Sequence, residues 1–180
     1  GGSIYLTTGG LEGNGTIGAN GSDGGNNAAD EGGGGGGGRV AVYYTTGSTT
    51  GLALTAYGGA AGFINNADNA AAGTVYTKAA ASTYGDLIVD NNSLTVDEVT
   101  GAVTPLTGTT TYNAVTVSNS GFARYASTSV TMPDLTATSS GVFEVPTGVN
   151  FASSTSLTWG NGGTIIENGT FNTDSNFTVP

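Results

Sequence analysis

Apolar and polar residues alternate in short runs along the chain, which is the pattern of a strand with one buried face. The first run places Ile4 and Leu6 on one side and Tyr5 on the other. Two similar runs follow, and the glycines that open the three runs, Gly2, Gly38 and Gly73, are 36 and then 35 residues apart. This nearly constant spacing predicts repeated units that stack in space.

Each unit of the first half is predicted to contain a second strand, at 16–19, 52–57 and 87–89. Leu52 lies 14 residues after Gly38, and Leu87 lies 14 residues after Gly73. We therefore expect the second strands to stack on one another in the same way as the first strands.

The repeat shortens in the second half. Four triplets of the form Leu/Val-Thr-x recur at spacings of 21, 20 and 22 residues, at 94–96, 115–117, 135–137 and 157–159. A glycine and a further predicted strand follow each triplet. Since neighbours in a strand point to opposite faces, the outer residues are predicted to point inward and the central threonines outward. The expected outward ladder consists of Thr95, Thr116, Thr136 and Thr158.

Units of this size cannot bury their apolar faces alone, but stacked copies can. We therefore predict an all-β chain that forms a right-handed parallel β-helix (β-solenoid) with Gly-rich loops in its first half. Residues 1–90 would form units of about 36 residues and residues 91–180 coils of 20–22 residues, together one continuous domain. Arg124 and Glu144 each lie three residues after a strand-opening glycine, so we expect them to form an ion pair between adjacent coils.

The amino-acid composition excludes several classes of function. The 180 residues include 33 Gly but only 3 Lys+Arg and 13 Asp+Glu, which gives a net charge of −10. Such a surface repels nucleic acid and anionic headgroups, and no apolar run is long enough for a membrane span. The absence of His and Cys excludes Ser-His-Asp and Cys-His catalysis, imidazole and thiolate metal sites, and disulfides. With its acids scattered as well, the chain is predicted not to be an enzyme.

The seven glycines of 32–38 satisfy the nucleotide-binding pattern Gly-x-Gly-x-x-Gly through composition alone. Neither a helix pattern nor a Lys-Ser/Thr pair follows, so we interpret them as a loop that permits close backbone packing. The loop acids leave Ca²⁺ binding open, although their spacing fits no known calcium loop and solvated side chains are the simpler interpretation. We predict no cofactor; the candidate calcium ligands are Asp23, Asp30, Glu31 and Asp68.

Aromatic residues suggest an alternative function. Tyr43, Tyr57, Tyr76 and Trp159 are candidates for a glycan-stacking face, although tyrosine is also favoured in strands and Trp159 also suits a core. The threonine ladder leaves ice binding as a more distant alternative, beside polysaccharide degradation.

The triplets with their following glycines, and the segment 163–171, resemble β-helix repeats of large bacterial surface proteins. These are autotransporter passengers, filamentous-haemagglutinin-type adhesins and polymorphic outer-membrane proteins. The Gly-Gly-Arg-Val-Ala-Val-Tyr-Tyr of residues 37–44 is similar to Gly-rich repeats of the same exported proteins.

This resemblance implies a prokaryotic extracellular or cell-surface location. We expect a structural component of a surface assembly, such as a stalk, filament or adhesin segment. Its ends would dock on further copies, giving a homo-oligomer or fibre, or continue in a larger polypeptide, because the chain opens on Gly1 like an excised piece. Surface glycans are the alternative partner, through a carbohydrate-binding module.

Overall fold

The structure, a computed structural model, describes residues 1–27, 30–62, 69–96, 102–107, 111–126, 134–153, 156–160, 162–173 and 177–178. These residues form strands and turns without a helix, so the all-β class is confirmed. No segment among them is a helix that could cross a membrane. The strands are β1 (Ser3–Leu11), β2 (Gly15–Gly18), β3 (Asn26–Asn27), β4 (Asp30–Glu31), β5 (Arg39–Gly47), β6 (Leu52–Thr55), β7 (Thr74–Ala79), β8 (Asp86–Asp90), β9 (Thr104–Leu106), β10 (Ala114–Ser118), β11 (Phe122–Tyr125), β12 (Asp134–Ala137), β13 (Val142–Val145), β14 (Asn150–Ser153), β15 (Ser156–Trp159), β16 (Thr164–Glu167), β17 (Thr170–Thr173) and β18 (Phe177–Thr178).

One large sheet runs through both halves of the described chain. It has eight strands in the order β1-β5-β7-β8-β10-β12-β15-β18. Four strands form a second sheet in the order β16-β13-β11-β9, and three pairs remain: β14-β17, β2-β6 and β3-β4. The large sheet is mixed, because β7 and β8 pair antiparallel while its other pairs are parallel.

The predicted single right-handed parallel β-helix is therefore wrong. The strands β8, β10, β12, β15 and β18 run opposite to β1, β5 and β7, since the chain reverses between β7 and β8. The expected stacking of 87–89 on 52–57 is also wrong: β6 pairs with β2, whereas β8 folds back on β7.

Glycine corners explain this difference between the units. Gly13 and Gly15 in the first unit, and Gly47 and Gly51 in the second, have positive φ where the chain turns from the first strand into the second. These left-handed conformations favour glycine and direct the chain away from the large sheet. The third unit has no positive φ within 80–85, and its next strand returns to the same sheet.

The repeat itself does align the first strands. Ile4, Val40 and Val75 are in register, as their spacing predicts. In the second half, Val115, Leu135 and Leu157 are likewise in register and buried.

The triplet at 94–96 does not join this ladder. The neighbour of β10 is β8, which places Leu87 beside Val115, while 94–96 lies outside any strand. Thr95 is therefore absent from the threonine ladder. The turn before it explains why, since Asn92 and Ser93 have positive φ and end the extended chain after β8.

The reversal moves the hydrophobic core from one face of the large sheet to the other. Val75 and Ile88 are opposite one another and pack in the first core, whereas Tyr76 and Leu87 share the other face and pack in the second. On each face, the row of side chains at equivalent positions therefore changes at the reversal: one row changes from aliphatic residues to threonines, and the other from tyrosine and alanine to aliphatic residues. One row contains Ile4, Val40, Val75, Ile88, Thr116, Thr136 and Thr158; the other contains Tyr5, Ala41, Tyr76, Leu87, Val115, Leu135 and Leu157.

The backbones of the Gly-rich loops lie side by side, and the hydrogen bonds between them recur every three residues. Between the first two loops the N–H groups of Gly38, Gly35 and Gly32 donate to the carbonyls of Ala19, Ser22 and Gly25, over 2.7, 2.8 and 3.3 Å. Gly59 and Gly62 bond in the same period to Gly35 and Gly32. Three residues per turn is the repeat of polyproline II, not of a strand. We call the four segments 19–25, 32–38, 56–62 and 69–73 the glycine bundle.

Backbone contact makes glycine necessary at particular positions of this bundle. A Cβ added to Gly34 would lie 1.9 Å from the Gly59 oxygen, and one added to Gly37 would lie 2.1 Å from the Ala56 oxygen. By contrast, a Cβ on Gly36 meets nothing within 4 Å. The glycine run is thus a close-packed part of the fold, as the sequence predicts.

Candidate binding face

Tyrosines form a contiguous row on the face of β1, β5 and β7 that lies opposite the first core. The ring centroids of Tyr5 and Tyr43 are 5.1 Å apart, and those of Tyr43 and Tyr76 are 5.6 Å apart. Tyr112, which precedes β10, continues the series at 6.2 Å from Tyr76. These four residues are called the tyrosine row.

The strand register explains how the row forms. Tyr5, Ala41 and Tyr76 occupy equivalent positions on three adjacent strands, and Tyr43 lies two residues further along the middle strand. Because the side chain of Ala41 is only a methyl group, the ring of Tyr43 can lean over it and contact both neighbours. Aromatic pairs at these distances and tilts stabilise one another and hold their rings in fixed positions.

Exposure varies along the row. Tyr5 is 73% exposed on the outer strand, whereas Tyr43, Tyr76 and Tyr112 are partly buried. Burial raises the pKa of Tyr43 above 10.0, and the neighbouring Tyr76 and Tyr5 raise it further. Burial also raises the pKa of Tyr76, which a hydrogen bond with the backbone of Gly85 partly offsets. Tyr43 and Tyr76 are therefore neutral phenols at physiological pH.

A groove of about 360 Å³ runs beside these rings. Tyr43, Tyr76 and Tyr112 line this groove together with Arg39, Thr74 and Pro105. A second cleft of about 750 Å³ continues from there, bounded largely by the backbone of the glycine bundle. Both spaces share Arg39, Thr74 and Pro105, so they adjoin at these residues, and we call the two together the elongated depression.

The basic residues are unevenly placed. Arg39 lies on the same face of β5 as Tyr43, and Lys78 is in register with Tyr43 on β7. Both occur beside the tyrosine row in a chain with only 3 Lys+Arg. Arg39 forms no ion pair with any described residue.

The third basic residue is neutralised elsewhere. Arg124 Nε donates to Glu144 Oε2 at 2.6 Å between the adjacent strands β11 and β13. Their shared offset from Gly121 and Gly141 predicts this ion pair.

Of the predicted glycan-facing aromatics, the structure brings together Tyr43 and Tyr76. Tyr57 is separate: its N–H donates to Asn20 Oδ1 at 2.9 Å, and burial followed by the nearby Asp90 raises its pKa. Trp159 ends β15 opposite Ala137, and its side chain lies outside the described part.

Sequence reasoning missed Tyr5 and Tyr112. Tyr5 could have been found from the repeat, because adding 36 and then 35 residues leads from Tyr5 through Ala41 to Tyr76. Tyr112 precedes β10 and belongs to no repeat, so only the antiparallel return of β8 brings it near Tyr76.

The threonine ladder is shorter than predicted at one end. Thr116, Thr136 and Thr158 are in register, and Thr178 on β18 occupies the next position. Ile88, not Thr95, precedes them in the row.

The candidate calcium ligands are not brought together in the described part. Asp23 Oδ1 accepts a hydrogen bond from the N–H of Ala60 at 2.8 Å, so it joins two segments of the glycine bundle. Asp30 and Glu31 belong to β4, and their side chains lie outside the described part, as does all of Asp68. No group of three or more acidic residues that could hold a metal occurs among the described residues.

Comparison with protein-family models, with curated proteins and with solved structures finds no match to this chain.

Proposed function

We propose that this chain is a structural segment of a prokaryotic extracellular surface assembly, in which units add along the direction of the large sheet. The observation that carries the proposal is the open end at β1. Among the described residues, this strand of nine residues is outermost in the sheet and pairs only with β5. Unpaired backbone groups along a long edge strand are a template for another strand.

The core is also incompletely covered at this end. Ile4, Leu6 and Ile17 belong to the first core but are only partly buried, whereas Val40 and Val42 in the next layer are almost inaccessible. A further unit placed on β1 and β2 would cover the outer apolar side chains and pair the edge at once. The 36-residue and 35-residue offsets inside the chain provide the geometry for such addition.

Sedimentation velocity from micromolar to millimolar protein tests this proposal, with electron microscopy of the concentrated sample. We expect association that Thr7→Lys abolishes, because a charge on an edge strand opposes strand addition. Thr158→Lys is the matched control, since Thr158 is also exposed but lies on an internal strand. A monomer at every concentration, with β1 amides protected from exchange, would overturn the proposal, as would equal association of both variants.

A second candidate function, glycan binding, is favoured by the tyrosine row. Its rings lie side by side across three adjacent strands, and Tyr5 presents a large exposed aromatic surface. Sugar rings carry apolar C–H faces, which pack on aromatic rings while the hydroxyl groups remain hydrated. The adjoining groove would hold the rest of an oligosaccharide.

Calorimetric titration with cellotetraose tests glycan binding. We expect Tyr43→Ala to abolish binding, because it removes the ring that contacts both Tyr5 and Tyr76. Tyr57→Ala serves as the matched control, since that tyrosine lies away from the row. Absence of binding of any tetrasaccharide, neutral or acidic, at millimolar concentration would exclude this function for the row, as would equal loss of binding in both variants.

A further inference from the structure

We propose that the elongated depression beside the tyrosine row binds an acidic polysaccharide, with Arg39 as the partner of a carboxylate on the sugar. The inference rests on the glycan-binding candidate and specifies its ligand.

The charge of the depression is opposite to that of the protein. The chain carries −10, yet none of the described residues that line the groove or the cleft is an aspartate or glutamate. Arg39 is the charged side chain shared by both spaces, and Lys78 stands one strand away beside Tyr43. Arg39 and Lys78 thus attract an anionic ligand to this lining, against the opposing charge of Asp86, which acts on Tyr76.

The shape of the depression fits a polymer better than a single sugar. The groove beside the rings and the backbone-lined cleft meet at Arg39, Thr74 and Pro105. A chain of sugars can therefore stack on the rings at one end and reach backbone N–H and carbonyl groups at the other. Arg39, at the junction, lies beside a sugar in the middle of such a chain.

The state of Arg39 shows that it is available for this role. It is exposed and makes no ion pair with the described residues, whereas Arg124 is already held by Glu144. A guanidinium group presents two parallel N–H donors to a carboxylate and is more weakly hydrated than an ammonium group. Uronic acids offer that carboxylate on a ring that also stacks on tyrosine.

Two tetrasaccharides that differ in their carboxylates test the inference. We would titrate the protein with a β-1,4-linked glucuronate tetramer and with cellotetraose, its neutral counterpart. We expect tighter binding of the glucuronate tetramer and a loss of roughly 10- to 100-fold in that affinity for Arg39→Gln, the range of a lost charge-assisted hydrogen bond. Arg39→Gln should weaken glucuronate binding far more than cellotetraose binding, and Arg124→Gln should behave as the unaltered protein.

The possible results separate the inference from the function on which it rests. Equal affinity for both tetramers, or an unaltered glucuronate affinity in Arg39→Gln, would overturn the acidic preference and leave glycan binding standing. Failure of both tetramers to bind would remove both. Binding of a tetraglutamate peptide as tightly as the glucuronate tetramer would show recognition of charge alone and would also overturn the inference.

Discussion

Replacing Gly37 with alanine should destabilise the protein far more than the same change at Gly36. The two glycines are neighbours in the same run of seven, so composition, charge and local sequence are matched. They differ in what a Cβ would meet. At Gly37 the new atom would lie 2.1 Å from the Ala56 oxygen and 2.3 Å from the Gly73 nitrogen, whereas at Gly36 nothing lies within 4 Å.

The magnitude follows from the hydrogen bonds near the clash. The N–H of Gly73 donates to the Ala56 carbonyl at 2.7 Å, and the N–H of Gly37 donates to the Ala71 carbonyl at 3.0 Å. Van der Waals contact would require the backbones to separate by about 1 Å, which breaks both bonds. At about 1–3 kcal/mol for each of the two broken hydrogen bonds, Gly37→Ala should lose roughly 2–6 kcal/mol.

Gly36→Ala should be neutral or gain up to about 1 kcal/mol, because alanine reduces the entropy of the unfolded chain. Urea unfolding followed by far-ultraviolet circular dichroism measures both variants. A loss of about 3 kcal/mol would lower the melting temperature by roughly 6–12 °C in a domain of this size. Equal stabilities of the two variants would refute the reasoning and show that the run is only a flexible tether.

Three further predictions concern buried or partly buried side chains. Asn91→Ala should cost about 3 kcal/mol in urea unfolding, because the fully buried Asn91 accepts from Gly58 N–H and donates to the Ala70 carbonyl; a cost below about 1 kcal/mol would contradict this accounting. Thr55→Val should stabilise by about 1 kcal/mol, since Thr55 Oγ1 is buried without a hydrogen-bond partner among the described residues; a lower melting temperature would count against it. Because burial raises the pKa of Tyr43 above 10.0, the stability contributed by its neutral phenol is complete below pH 10 and is lost as pH rises through the folded-state pKa. Tyr43→Phe should therefore reduce the fall in melting temperature above pH 10, and an unchanged fall would disprove the assignment.

Much of the strand pairing can be predicted from sequence because apolar side chains at equivalent positions favour one alignment. Val40 falls between Ile4 and Val75 at the spacing of the opening glycines, and a slip by one residue would expose all three. The same reasoning aligns Val115 with Leu135. These alignments depend on local patterns, which repeat visibly in the sequence.

Strand direction is less visible, since alternation reads the same in both directions. Leu87 and Val89 present the same pattern whether β8 runs parallel or antiparallel to β7. The sequence feature that indicates the reversal is a difference between units: the third unit lacks the glycine corner that Gly47 and Gly51 form in the previous unit. The tyrosine row was only half predictable for the same reason, because Tyr112 approaches Tyr76 as a result of the reversal.

The three-residue period of the glycine bundle has a consequence for inherited changes in chain length. Because every residue of the run is a glycine, a shift of the run along the bundle still places a glycine at each crowded position. An added or deleted residue, however, turns the following backbone by about 120°, while three restore its direction. Insertions and deletions in residues 32–38 should therefore be retained in multiples of three, because only those leave Arg39 and the strand it opens in their original orientation.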